Sequence, residues 1–312
     1  MKKFLGKKKN LSKKLLIVGG TGFLGYHVAI KAKKKKWEVH SISSRKPKKK
    51  RLCKEVKYLI CDITSKKDLN KLLKTKYDYI INFGGYVDHS NKKKTYSTHF
   101  IGCKNLIDIL QKKKITPSKF VQIGSSIENL KSKSPQSELY PKNNYATKSV
   151  YGDSKLLASR YLINLYKKNN YPVVILRPYI IYGPKQDSNR FIPFVIENCK
   201  KNKKFNLSSC EQYRDFLFID DFIRLIFKIF GANSKSHGNI FNVGYGKPIK
   251  LKKIVKLVRN KIDKGLPDFG KLKLRPDEIK IQYPNINKTK KFFSWSPKTK
   301  FINGLIKTIN QN

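Results

Sequence analysis

Acidic residues are scarce in this chain. It carries 20 Asp and Glu against 70 Lys and Arg, a formal charge of +50 over 312 residues. An excess of that size suits nucleic-acid phosphates, whose counterions clustered Lys and Arg would release. Arginine, however, is scarce too: nine residues beside 61 lysines, with only five alanines and an abundance of Ile, Asn, Phe and Tyr. Those are the residues that AT-rich codons supply. The lysines fall at expected helix ends and loops (Lys33 to Lys36, Lys48 to Lys50, Lys92 to Lys94, Lys112 to Lys114) and not in one stripe. A specific nucleic-acid partner is therefore not expected, and non-specific attraction to polyanions at low salt is.

Cysteine is sparse as well. Cys53, Cys61, Cys103, Cys199 and Cys210 contain no Cys-x-x-Cys pair and do not cluster with the five histidines, so no metal site is expected and the thiols read as reduced and mostly buried. Long apolar runs are missing. The longest are cut by Gly20 and Thr21 or by Arg177 and Pro178, short of the roughly eighteen residues a membrane-spanning helix needs. The stretch from Met1 to Lys14 is basic but lacks a separate apolar region and a small-residue cleavage site, which points to a cytoplasmic protein with a basic tail over residues 1–12.

What is present starts with Leu15-Leu16-Ile17-Val18-Gly19-Gly20-Thr21-Gly22-Phe23-Leu24-Gly25. An apolar strand runs into a glycine turn and then into a helix, with Gly19, Gly22 and Gly25 at three-residue spacing. Glycines let the backbone approach a pyrophosphate closely, and free amides at a helix start attract its charge. Further strands are expected at Trp37 to Ile42, Val56 to Cys61, Tyr79 to Phe83, Phe120 to Gly124 and Val173 to Leu176. They alternate with helices at Phe23 to Lys35, Leu69 to Leu73, Thr95 to Gln111 and Asn144 to Tyr166. That alternation argues an α/β fold with a doubly wound parallel sheet, its strand ends on one ligand-bearing edge. Beyond Arg177 the rhythm becomes irregular, with helices at Asp221 to Phe230 and Leu251 to Lys261. A dinucleotide-binding unit is expected over residues 13–178, rejoined by about 215–245, with a smaller C-terminal substrate lobe over most of 179–312 and ligand between the two.

The second feature is Tyr151-Gly152-Asp153-Ser154-Lys155. On a helix, residues four apart share a face, so the Lys155 ammonium is expected near the Tyr151 hydroxyl, lowering its pKa toward acid/base work. Upstream, the strand ending at Gly124 leads into Ser125-Ser126, a hydroxyl on the same edge as the glycine turn.

With these three signals in order, the sequence resembles the extended short-chain dehydrogenase/reductase family, in its sugar-nucleotide epimerase, dehydratase and reductase branch. The resemblance covers about Lys14 to Ile309. It includes Asp62-Ile63, Leu176-Arg177-Pro178 through Tyr182-Gly183-Pro184, Arg214-Asp215-Phe216, Phe241-Asn242-Val243-Gly244, Arg275-Pro276-Asp277-Glu278 and Trp295-Ser296-Pro297. It implies a Rossmann fold, with Tyr151 as acid/base, Lys155 tuning it and binding the nicotinamide ribose, and Ser125 orienting the sugar oxygen. Gly19, Gly22, Phe23, Leu24, Gly25, Asp62, Ile63, Phe83, Gly84, Gly85 and Pro178 would contact the cofactor. Ser126, Arg190, Arg214 and Arg275 would contact substrate, the last two gripping its diphosphate with planar guanidinium forks. The family implies a homodimer through the helices near Thr95 to Gln111 and Asn144 to Tyr166.

Departures narrow the reaction. Dehydratases of this family carry an acid and base directly after the catalytic hydroxyl residue, where this chain has Ser126 and Ile127, with Glu128 one place late. Dehydration is therefore disfavoured, leaving epimerisation or ketone reduction at a sugar carbon, commonly C4, in surface-polysaccharide synthesis. His99 stands where many relatives carry Asn. At the second strand end, Ser41-Ile42-Ser43-Ser44-Arg45 has no acid for a ribose 2′-hydroxyl, while Ser44 and Arg45 suit a 2′-phosphate. NADP is expected over NAD. Two other readings stay open: an NADPH-dependent reductase of a carbonyl substrate lacking a nucleotide, and a non-catalytic cofactor- or polyanion-binding scaffold.

Overall fold

The computed structural model describes residues 12–86, 88, 90–129, 132–140, 146–147, 149–274 and 278–311. Its frame is a seven-stranded, all-parallel sheet. The first six strands are β1 (Lys14–Val18), β2 (Glu38–Ser43), β3 (Lys57–Ile60), β4 (Tyr79–Asn82), β5 (Lys119–Ile123) and β6 (Val173–Pro178). Then come β7 (Ile180–Tyr182), β8 (Lys204–Asn206), β9 (Tyr213–Phe218) and β10 (Asn239–Val243), followed by β11 (Pro248–Lys250), β12 (Leu266–Asp268) and β13 (Ile281–Gln282). The large sheet runs β10-β6-β5-β4-β1-β2-β3, so β10 returns to it after an excursion that builds a smaller sheet of β7, β9, β11 and β13 and the pair β8 and β12.

Strand side chains alternate between faces, and the cores follow. In β1, Leu15 and Ile17 join one apolar cluster while Leu16 and Val18 join another across the sheet. In β6, Val174 and Leu176 face the first cluster, Val173 and Ile175 the second. A parallel sheet covered on both faces needs apolar residues at consecutive positions, which is why these strands read as continuous apolar runs.

The helices are α1 (Phe23–Lys34), α2 (Lys66–Leu72), α3 (Lys92–Tyr96), α4 (Gly102–Lys112), α5 (Val150–Asn169), α6 (Phe191–Lys200), α7 (Ile219–Phe230), α8 (Leu251–Ile262), α9 (Asn287–Phe293) and α10 (Phe301–Asn310). The helix expected from Thr95 to Gln111 is α3 and α4 joined by a π-helical turn at Ser97–Ile101. The helix expected from Asn144 starts instead at Val150, because Ser149 caps it, its Oγ accepting from the Gly152 amide at 3.1 Å. Residues 144, 145 and 148 lie outside the described residues.

In the strand order, the chain leaves β1 in one direction toward β2 and β3 and in the other toward β4, β5 and β6. The carboxyl ends of β1 and β4 therefore flank a switch point, where a crevice opens between diverging loops. All five cysteines are free and buried, and burial pushes the thiols of Cys61 and Cys103 up to about 11 and 12. No helix among the described residues is long and apolar enough to cross a membrane.

Candidate active site

The crevice is a cleft of about 760 Å³ at this switch point, lined by residues following β1, β4, β5 and β6 and by the loop after β7. Gly19, Gly22, Phe23, Leu24 and Gly25 form its floor. Gly19 has φ +82°, a conformation that suits glycine. At Gly25 a Cβ would lie 2.5 Å from the Gly19 carbonyl oxygen and 2.6 Å from Gly20 Cα, so only a bare backbone fits there. The first turn of α1 carries no side-chain cap and no acid. Unclaimed amides, a helix dipole and a backbone cradle form a fitting seat for a dinucleotide pyrophosphate.

Across the cleft, β5 delivers Ser125 and Ser126, and α5 delivers Tyr151 and Lys155. Lys155 is buried, and its Nζ donates to the Ile123 carbonyl at 2.8 Å. Burial draws its pKa down to about 8, with the Glu128 charge opposing. The expected tuning of Tyr151 by Lys155 is not what these groups display. Burial pushes the Tyr151 phenol above its ordinary value, a hydrogen bond with Ser125 works the other way, and the Glu128 and Arg190 charges act as lesser, opposed influences. The reason is dielectric: in a dry site the charged form of each group is disfavoured, and the ammonium is held by a backbone carbonyl. His99, from the π-helical turn, lies edge-on to Tyr151 with ring centroids 5.0 Å apart at 74°, and its Nε2 lies 3.2 Å from the Tyr86 carbonyl oxygen.

Glu128 is wholly buried and fully engaged. Its carboxylate accepts from the Ser125 amide at 2.8 Å, the Ser159 hydroxyl at 2.6 Å and Arg177 Nε at 3.1 Å. It thus fixes the turn that presents Ser125, and it does not line the cleft.

The matching family model, "NAD dependent epimerase/dehydratase family", covers residues 15–244, and these span both the glycine cradle and the Ser125, Tyr151, Lys155 set. The chain belongs to that family. CDP-abequose synthase of Salmonella muenchen is 28% identical over 141 residues, 43% of this chain and 48% of that protein, so the chain spans about half the length of that relative. A UDP-glucose 4-epimerase from Thermotoga maritima, solved with UDP-glucose, superposes with a TM-score of 0.85 at 18% identity, covering 96% of this chain and 98% of that one. A dTDP-glucose 4,6-dehydratase from Bacillus anthracis, solved with NAD, superposes at 0.81 with 21% identity and 96% coverage of both. At those identities the likeness concerns the fold, and members that differ in chemistry share it.

Of the residues singled out in sequence, Phe83, Gly85, Arg45, Pro178, Ser126 and Arg190 also line the cleft of this family member. Gly84 lies buried beside it, its amide donating to Asn82 Oδ1 at 2.9 Å. Others fall elsewhere. Ser44 is exposed and outside the lining. Asp62 is exposed and caps its own turn, accepting from the Thr64 amide and hydroxyl at 2.9 Å each, while Ile63 is buried. Arg214 also lies outside the lining: its guanidinium pairs with Glu278 and donates to the Tyr213 carbonyl at 2.7 Å, because a largely buried cation needs a close counter-charge. Arg275 lies outside the described residues.

Sequence reasoning missed Lys48, Arg51 and Asp187, all of which line the cleft. One signal was available for Asp187. It is one of only 20 acids in the chain, three residues after the Tyr182-Gly183-Pro184 landmark.

Proposed function

We propose that this protein moves hydride at a carbon, C4, of a nucleotide-diphosphate sugar, as an epimerase or a ketoreductase, and serves the synthesis of a surface-polysaccharide sugar in the cytoplasm. The observation that carries this reading is the meeting of Ser125, Tyr151 and Lys155 on the wall facing the Gly19–Gly25 cradle within one cleft. The cradle holds the pyrophosphate, and Lys155 reaches the nicotinamide ribose. When bound, the dinucleotide supplies the hydride donor or acceptor. Ser125 holds the sugar oxygen, and Tyr151 passes the hydroxyl proton to or from it. A phenol kept protonated by burial is ready to give its proton to a reduced carbonyl. Arg190 and Ser126, both at the cleft, would hold the sugar diphosphate, whereas Arg214 is engaged with Glu278.

NADP is the proposed cofactor, since Arg45 and Lys46 line the cleft past the end of β2 and no acid stands from Ser41 to Lys46. Dehydration is disfavoured because Ser126 and Ile127 follow Ser125 and the carboxylate of Glu128 is committed to Arg177. The α3–α4 and α5 helices are the proposed homodimer surface. The pairing of Arg214 with Glu278 favours one second reading, a reductase for a carbonyl substrate lacking a nucleotide. Incubation with individual nucleotide sugars, following NADPH absorbance and product stereochemistry, tests the proposal. Net NADPH loss marks a reductase and an altered sugar without loss an epimerase. Cofactor binding with no turnover across the panel would sink both. Competition by free nucleoside diphosphates is expected for the nucleotide-sugar reading alone.

A further inference from the structure

Two chain segments far apart in sequence meet at the cleft. On one side is the turn after β2, on the other the loop after β7. Arg51, only 4% exposed, donates from Nη1 to Asp187 Oδ2 at 3.0 Å and from Nη2 to Asp187 Oδ1 at 3.3 Å. Lys48 Nζ reaches the same carboxylate at 2.9 Å, and Lys50 Nζ donates to the Gln186 carbonyl at 3.0 Å. Beside them, His27 of α1 lies with Nε2 3.0 Å from the Pro184 carbonyl oxygen. Arg51, Lys48, Gln186 and Asp187 all line the cleft that holds the glycine cradle. The bidentate fork is the strong form of such a pair, and one of its partners is nearly dry. Although burial opposes ionisation, hydrogen bonds from Arg51 and Lys48 hold the Asp187 carboxyl near 2, so the contact stays charged at ordinary pH.

We infer that Asp187, gripped by Lys48 and Arg51, is a clasp that must open for the dinucleotide to enter or leave, so that this residue sets the rate of cofactor exchange. The inference rests on the reading that the cleft takes a dinucleotide. The bridge shares one cleft with the α1 amides and Lys155, and in this inference a ligand spanning those two groups is released only when the bridge parts. The result would be a cofactor that outstays its intrinsic affinity.

Asp187→Asn separates this from plain electrostatics, because the two predict opposite signs. Removing a carboxylate from beside a polyanionic ligand would slow release if charge alone mattered, whereas opening a clasp speeds it. The measurement is stopped-flow release of NADPH, and in parallel NADH, from the loaded full-length protein on chasing with excess oxidised cofactor. Release about tenfold faster in Asp187→Asn, with parental rates in Asp187→Glu, is expected. Unchanged or slower release overturns the clasp. If Asp187→Asn fails to fold, the parent decides: the observed association rate should level off with rising NADPH at the opening rate, and a linear rise overturns the clasp. Binding of neither NADPH nor NADH would overturn the dinucleotide reading and the clasp with it, whereas binding with unchanged release overturns the clasp alone.

Discussion

Replacing Glu128 by Gln should reveal what holds Ser125 in place. The carboxylate and the Arg177 guanidinium are both 0% exposed and stand 3.0 Å apart. Arg177 also donates to Asn129 Oδ1 at 2.7 Å, so it cannot swing to water. Glutamine preserves the shape and removes the charge, leaving a dry cation without its counter-ion. Breaking a buried pair from one side costs about 3–5 kcal/mol. With an unfolding entropy of about 2.1 cal/mol/K per residue, a 312-residue chain changes by about 0.65 kcal/mol per degree. The expected loss in melting temperature is therefore about 5–8 °C, read by calorimetry or circular dichroism. The double variant Glu128→Gln with Arg177→Met removes both charges while the glutamine oxygen still accepts from the Ser125 amide, and should recover part of the loss. A single variant within about 1 kcal/mol of the parent, or a double variant as unstable as the single, would refute the reasoning.

Other consequences follow from the same geometry. Gly25→Ala places a Cβ 2.5 Å from the Gly19 carbonyl oxygen, so the cradle must open. Dinucleotide affinity by fluorescence titration should fall at least about tenfold, with a stability loss of about 1–3 kcal/mol. Lys155 titrates near 8, so dinucleotide affinity should be full below that pH and weaken as pH rises through it, a dependence that Lys155→Met removes. The Asp187 carboxyl, held near 2 against an unfolded value near 4, stabilises the fold fully above about pH 4 and loses that contribution as pH falls toward 2. The melting-temperature gap between parent and Asp187→Asn should be steady from pH 5 to pH 8 and close in acid.

Much of this architecture is legible in the sequence because its signals are local. The β1 run, the glycine spacing and the α1 start sit within a dozen residues, and the strand and helix of each later unit announce themselves by apolar pattern. The Ser125, Tyr151 and Lys155 set is legible because family landmarks fix its order. What escaped depends on separation along the chain. Arg51 meets Asp187 across 136 positions and Arg214 meets Glu278 across 64, and no periodicity links either pair. The expectation for Tyr151 turned on charge proximity alone. Burial, which a sequence does not state, acts on the phenol and on Lys155 together. The π-helical turn that sets His99 against Tyr151 is likewise invisible to a helical pattern, since one extra residue shifts the face without breaking the run.

In the proposed reaction Tyr151 moves the proton while hydride passes at a sugar carbon. Its most direct test is single-turnover reaction with the nucleotide sugar that the panel identifies, the protein being loaded with NADPH for a keto sugar or with the oxidised dinucleotide for a sugar alcohol, comparing the parent with Tyr151→Phe. The phenyl ring keeps the packing on His99 and loses only the hydroxyl, so cofactor affinity and melting temperature should hold. The chemical step should slow by about three orders of magnitude or more. A Tyr151→Phe protein that turns over at the parental rate would contradict the claim.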